Sequence, residues 1–266
     1  MAKKTSNKKS RGKIGQAQVD GKYGRKASKG GRKKGQAALK KQNARTHYLN
    51  KLASELKRII HSYGGILIPK GFYQLLLKHF RKEPLDNRFL LLKQLEGMEV
   101  NSKYPLNKLG DARVTVTDDS KTITVRLEVL YHPPAFAGKY KVDCYSYEVA
   151  LVCWANDDVQ PSPMRQVSEW ISLNDDLPDF DFEFKRPADT VHWLVCLKQQ
   201  TGFNKEPILP LVGAGMQIVC AGTFDKKDIE LFTKRKREKA AQAEKLVATQ
   251  KEEDVIRVKA KTKRKL

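Results

Sequence analysis

The chain has 266 residues, of which 40% are hydrophobic and 8% aromatic. That is enough for one or two domains with a core of useful size. The formal net charge is +22, yet no run approaches the roughly 18 apolar residues of a membrane span, and no apolar stretch follows the basic N-terminus. A membrane span, a signal peptide and an anchor are therefore not expected.

The charge is unevenly placed. Residues 1–50 carry +15, with Asp20 as their single acid; residues 51–225 carry −1; residues 226–266 carry +8. Charge confined to the two ends implies an anionic partner or surface. Four cysteines, Cys144, Cys153, Cys196 and Cys220, lie in apolar runs. They form no dense framework, so a reducing, cytoplasmic setting is expected. In a eukaryotic cell the Lys/Arg runs would also suit nuclear signals.

Residues 1–10 are polar and basic and unsuited to folding alone. Residues 12–27 carry a hairpin signal: KIGQAQV and KYGRKAS flank Asp20-Gly21, a pair suited to a type I′ turn. A Gly/Lys-rich coil is the other reading. Residues 28–35, SKGGRKKG, read as a flexible basic linker. From Gln36 the period becomes helical: Leu49, Leu52, Leu56, Ile59 and Ile60 recur on one face until Gly64-Gly65. A second helix is expected over 70–82, with Phe72, Leu75, Leu76 and Phe80 as its stripe and Pro84 beyond it. A third is expected from Leu85 to Leu95, capped by Gly97. Together they predict a small helical subdomain over residues 36–100.

After Tyr104-Pro105 the period is two. ARVTVT (112–117) and TITVRLEVLY (122–131) flank a turn at Asp118-Asp119-Ser120. Five further runs follow, at 143–155, 165–173, 179–184, 191–199 and 215–224. Seven strands with turn signals between them predict an antiparallel β-sandwich of immunoglobulin or fibronectin III kind over residues 101–224. Trp154, on the long middle strand, stands where such a sandwich places a core tryptophan. Residues 225–255 read as a charged helix, too poor in apolar residues for a coiled coil, and 259–266 as a basic tail. The predicted fold class is thus α+β: a basic arm (1–35), helices, a sandwich, and a charged C-terminal segment (225–266).

Several patterns in the chain resemble sites. His192 and Cys196 share a strand face but lie roughly 13 Å apart on an extended chain, too far to share a zinc ion. Cys144 and Cys153 face opposite sides of one strand. Buried structural cysteines are the stronger reading. VGAGMQI (212–218) lacks the third glycine of a dinucleotide fingerprint and leads into a strand, so Gly213 and Gly215 are expected to ease a bend or bulge. DFDFEF places Phe180, Phe182 and Phe184 on one face, with Asp179, Asp181 and Glu183 on the other. That acidic face is either solvated or a landing place for a basic arm. Trp154, Trp170 and Trp193 read as core before they read as a base-stacking platform.

The basic clusters are the main functional signal. One holds Lys3, Lys4, Lys8, Lys9, Arg11 and Lys13; a second Arg25, Lys26, Lys29, Arg32, Lys33 and Lys34; a third Lys234, Arg235, Lys236 and Arg237. Each cation that neutralises a phosphate releases counterions. Tyr23 is the single aromatic of the first 40 residues, which favours backbone binding over base reading. These clusters are the candidate nucleic-acid-binding residues. No catalytic residue, metal ligand or cofactor is expected.

GKIG (12–15), the Asp20-Gly21-Lys22 turn, a helical segment, YPL (104–106), HWLVCLK (192–198) and AGMQIVCAGTF (214–224) occur in that order. This arrangement resembles an uncharacterised Bacteroidota family with a Gly/Lys-rich N-terminal hairpin, helices and an immunoglobulin-like half. The resemblance covers roughly residues 11–224 and omits the Lys-rich C-terminal arm. It implies the fold and a bacterial or phage-related origin, and no substrate or active residue. The expected function is a non-enzymatic, nucleic-acid-associated protein that grips DNA or RNA phosphates with little sequence preference. The alternative is a structural or protein-interaction module, an assembly or virion-type component, whose sandwich meets another protein.

Overall fold

The computed structural model describes residues 29–119, 121–155, 161–209 and 211–263, with side chains left out at 29–35, 245–249 and 251–263. The first two basic clusters up to Lys26, and the expected hairpin at 12–27, lie outside the described residues. The chain divides into two compact units, 1–44 and 45–266. In the first, residues 29–44 are helical and residues 36–44 are exposed.

The elements in chain order are α1 (Lys29–Gly64), α2 (Phe72–Phe80), α3 (Arg88–Lys93), β1 (Met98–Glu99), β2 (Asp111–Asp118), β3 (Thr122–Tyr131), β4 (Phe136–Ala137), β5 (Tyr140–Lys141), β6 (Cys144–Trp154), β7 (Ser162–Val167), β8 (Ile171–Ser172), β9 (Asp179–Lys185), β10 (His192–Phe203), β11 (Glu206–Pro207), β12 (Ala214–Thr223) and α4 (Lys226–Lys263). Helix α1 corrects the sequence expectation at 28–35: it begins at Lys29, in the segment read as a linker. Gly30, Gly31 and Gly35 disfavour a helix by about 1 kcal/mol each relative to alanine. Once the apolar stripe has formed a nucleus, however, each added residue gains a hydrogen bond. The C-terminal helix likewise runs to Lys263, through most of the segment expected as a tail.

Strands β12, β10, β6 and β7 form the spine of one antiparallel sheet, with β1 beyond β12 and the short β8 and β11 attached to β6 and β10. Strands β2, β3 and β9 form a second antiparallel sheet. Six of the seven expected strands are present near their expected bounds. The seventh, 165–173, is split into β7 and β8. Ser168 causes the break: its backbone N–H donates to Tyr147 O at 2.8 Å, and its Oγ accepts from Tyr147 N at 2.9 Å.

The larger sheet is covered on both faces. Strand β6 is buried along nearly its whole length, the pattern of a strand with a layer on either side. Val149, Leu151 and Cys153 join Trp193 and Val195 of β10 against Val125 and Leu127 of β3 and Phe182 and Phe184 of β9. Ala150, Val152 and Trp154 join Leu194, Met216 and Ile218 against the helices, where Leu52, Leu56 and Ile60 of α1, Phe72, Leu76 and Phe80 of α2, and Leu91 and Leu92 of α3 complete the cluster. The fold is therefore a mixed α+β one, with helices, the larger sheet and the smaller sheet as successive layers. The helices share their core with the sheet.

Trp154 also departs from expectation. It is fully buried on the helical side, with the Arg88 guanidinium 6.0 Å from its ring. Trp193 holds the inter-sheet position. Trp170 falls in the break between β7 and β8 and is half-buried.

Candidate nucleic-acid interface

Helix α4 begins with a well-formed turn. Asp225 accepts from Lys227 N at 2.9 Å, and Asp228 places a carboxylate near the positive end of the helix dipole. Asp228 Oδ1 accepts from Asn87 Nδ2 at 2.6 Å, and Asn87 caps α3 by accepting from Leu90 N at 2.9 Å. One carboxylate thus joins the starts of two helices. Its other oxygen lies 3.9 Å from His192 Nδ1, which is also 3.0 Å from Thr223 Oγ1. His192 is therefore held by β12 and α4, while Cys196 lies in the core under the helices. Among the described residues no three His, Cys, Asp or Glu side chains converge on a metal position.

At about 100° per residue, Phe232, Arg235, Lys236 and Lys239 share one face of α4. That face meets α3. The rings of Phe232 and Phe89 pack edge to face with centroids 5.6 Å apart. The Lys93 ammonium lies 5.3 Å from the Phe232 ring and 5.5 Å from Phe89, and pairs with Glu96 at 2.7 Å. Arg235 turns inward to Glu83 at 2.6 Å. Between the helices remains a cavity of about 220 Å³ with an apolar floor at Leu90 and Phe232, and four cations, Lys93, Arg235, Lys236 and Lys239, around one carboxylate, Glu83.

No protein-family model, curated protein or solved structure matches this chain. The reading of the site therefore rests on its own residues.

The third basic cluster is not a single patch. Lys234 and Arg237 sit on the face of α4 opposite the cavity; Arg235 and Lys236 sit on the cavity face. Lys234, Lys236 and Arg237 are exposed, as is Lys239. None of these four has an ion-pair partner among the described residues. Arg235 is half-buried and engaged, so its cation is largely neutralised where it stands. Lys29, Arg32, Lys33 and Lys34 lie on the first turns of α1. Lys93 and Lys239 were missed in the sequence. Lys93 stands alone in RFLLLK, and Lys239 follows the cluster after Glu238. Only the helical period, carried on from Arg235, points to Lys239.

The other sequence candidates have structural roles. All four cysteines are free thiols. Burial pushes Cys196 up to about 12 and Cys153 up to about 11, so neither is a ready nucleophile at neutral pH. The acidic face of β9 finds a cation within its own sheet: Arg126 of β3 pairs with Asp179 at 3.0 Å and lies opposite Asp181. Gly215 permits close backbone approach, since a Cβ there would lie 2.9 Å from Leu106 Cα.

Proposed function

We propose that this protein is a non-enzymatic, nucleic-acid-associated protein that binds the phosphate backbone of DNA or RNA with little sequence preference. The observation that carries this reading is α4, where Lys234, Lys236, Arg237 and Lys239 are exposed and have no carboxylate partner among the described residues, and where Lys236 and Lys239 share the rim of the α3–α4 cavity with Lys93. The N-terminal charge of +15 supplies a second grip. Free thiols buried in the core fit a reducing, cytoplasmic setting. Among the described residues no helix is long and apolar enough to cross a membrane.

The body fits an immunoglobulin or fibronectin III-like sandwich that has gained a helical layer. Of its seven main strands, the first, second and fifth form one sheet, and the third, fourth, sixth and seventh the other. This differs from the immunoglobulin constant arrangement in the fourth strand alone: β7 pairs β6 and not β9.

Salt titration of binding to unrelated DNA and RNA tests the reading. The logarithm of affinity is expected to fall linearly with the logarithm of salt, by about 0.9 per phosphate contact on duplex DNA. Deleting residues 1–35, or replacing Lys234, Lys236, Arg237 and Lys239 with Gln, is expected to reduce that slope. Binding indifferent to salt, or unchanged in both variants, would overturn the proposal. A complex that survives nuclease and high salt would point to the protein-interaction alternative.

A further inference from the structure

The β4–β5 hairpin stands beside the segment that leads into β2, and a cavity of about 260 Å³ lies between them. One wall is formed by Lys103, Tyr104, Lys108 and Leu109, around a 3-10 turn at Leu106–Lys108. The other is Pro134 and the start of the hairpin, with Thr201 of β10 and Ala214 of β12 behind. Gly138, at φ of +62°, makes the tight hairpin turn. Ala137 and Tyr140 face inward and pack with Val142 and Ile208. Alternation therefore leaves the other hairpin pair, Phe136 and Lys141, on the outer side. Phe136 is 62% exposed, although it is a full aromatic ring at the cavity wall. The volume falls just below the 300–1,000 Å³ of drug-sized sites, which suits one ring system better than a larger cofactor.

The charges of this surface are of one sign. Lys103 and Lys108 are the charged residues of the lining, and no carboxylate lines it. Glu99 accepts from Leu106 N and from Gln217 Nε2, both at 3.0 Å, and lies outside the lining. Lys139 and Lys141 add two cations on the hairpin. Lys141 lies 5.5 Å from the ring of Phe203, and Lys139 5.6 Å from that of Tyr140. All four lysines are exposed, and none has an ion-pair partner among the described residues. Of the neighbouring acids, Asp143 is taken by the backbone N–H of Asn204, and Glu206, opposite Phe203, is offset by Lys205. An excess of positive charge remains around Phe136.

We infer that this surface binds single-stranded nucleic acid, one base stacked on Phe136 at the cavity mouth and its flanking phosphates on Lys103 and Lys108. A bare phosphate would need the lysines but not the ring. An apolar protein segment would need the ring but not the lysines. A duplex keeps its base faces inside the stack, so an unpaired strand is the polyanion that uses both. Every base has a π-face, so such stacking adds affinity with little sequence preference. The inference rests on the nucleic-acid reading above and narrows it to unpaired strands at a surface that shares no residue with the α3–α4 cavity.

Fluorescence anisotropy with the full chain tests this, using labelled oligothymidylate alone and the duplex it forms with oligoadenylate. Phe136→Ser is expected to weaken the single strand by at least about fivefold and to leave the duplex unchanged. Phe136→Trp is expected to keep single-strand binding, because it keeps a stacking face. Phe136 is exposed, so both variants should fold. Lys103→Gln with Lys108→Gln is expected to lower the single-strand salt slope by about 1.4, at about 0.7 per phosphate. Single-strand binding unchanged in Phe136→Ser, an equal loss on duplex, or a Phe136→Trp variant as weak as Phe136→Ser would each overturn the inference and leave the phosphate-binding reading standing. Binding to neither probe would overturn both.

Discussion

Arg235, on the C-terminal helix, closes a 2.6 Å ion pair with Glu83, a carboxylate beyond the end of α2 whose side chain is only 2% exposed. The same short connection is held from the other side by Arg45 of α1. Its guanidinium donates to the carbonyls of Glu83 and Pro84 and pairs with Asp86 at 3.3 Å. Two arginines far apart in sequence thus fix the α2–α3 connection, and one of them belongs to the run that reads most like a nucleic-acid contact.

Removing Arg235 therefore acts first on stability. Arg235→Ala leaves Glu83 buried without its cation, a defect worth about 3 kcal/mol. Glu83→Gln is expected to be milder, because Arg235 is 21% exposed and can turn to water. Chemical denaturation of the two variants checks this. Equal losses would show that the Glu83 carboxylate is not the group at stake.

A second stability prediction concerns the inter-sheet core. Trp193 lies opposite Gly222 on the neighbouring strand, and its indole packs where a side chain would stand. A Cβ at Gly222 would lie 2.0 Å from Trp193 Cζ2. Gly222→Ala must displace the ring and disturb the 3.3 Å hydrogen bond from Trp193 Nε1 to Asp118 Oδ2. Overpacking of this kind destabilises by about 1–3 kcal/mol. Tryptophan fluorescence should shift with it. An unchanged spectrum and denaturation midpoint would count against the close packing.

The strands were legible because apolar residues alternate cleanly in β3 and β9, where one face meets solvent. In β6 that alternation is lost, since Val149 to Trp154 are apolar on both faces. Sequence then fixes the strand but not the direction of Trp154. The unbroken apolar run was nevertheless the sign of a second covering layer, and the helices that provide it were visible as separate stripes. What joins them to the sheet is tertiary packing, which periodicity does not carry. The α3–α4 site was half legible. KRKREK announces cations, but whether Arg235 faces inward depends on Glu83, over 150 residues away. The pairing of Glu148 with Lys198 was equally hidden, because the two become partners only through strand register.

The buried thiols set an alkaline limit. From an ordinary 9.0, burial raises Cys196 to about 12, and Cys144, Cys153 and Cys220 to about 11. The unfolded chain therefore loses these protons first. Their stabilising contribution is complete below pH 9 and is lost as pH rises through 11 to 12. Denaturation midpoints measured from pH 8 to 11 should begin to fall above pH 9, and less so in Cys196→Ala. At pH 8 about one thiol in a thousand is ionised at a value of 11, so thiol reagents should react slowly with the folded chain. Cys220, half-buried while the other three are buried, should be modified first. A midpoint flat to pH 11, or prior labelling of Cys196, would contradict this order.

The two faces of α4 separate a dedicated interface from a merely basic helix. Lys236 and Lys239 flank the cavity with Lys93; Lys234 and Arg237 point the opposite way. Both pairs are exposed and carry the same charge, so a diffuse attraction to phosphate would treat them alike. If nucleic acid lies along the cavity face, Lys236→Gln with Lys239→Gln removes two phosphate contacts, lowering the salt slope by roughly 2. Lys234→Gln with Arg237→Gln then leaves it nearly unchanged. Neither double variant disturbs Arg235 or Glu83, so folding is expected to survive in both. Equal reductions from the two pairs would instead mean that α4 contributes charge without a defined contact surface.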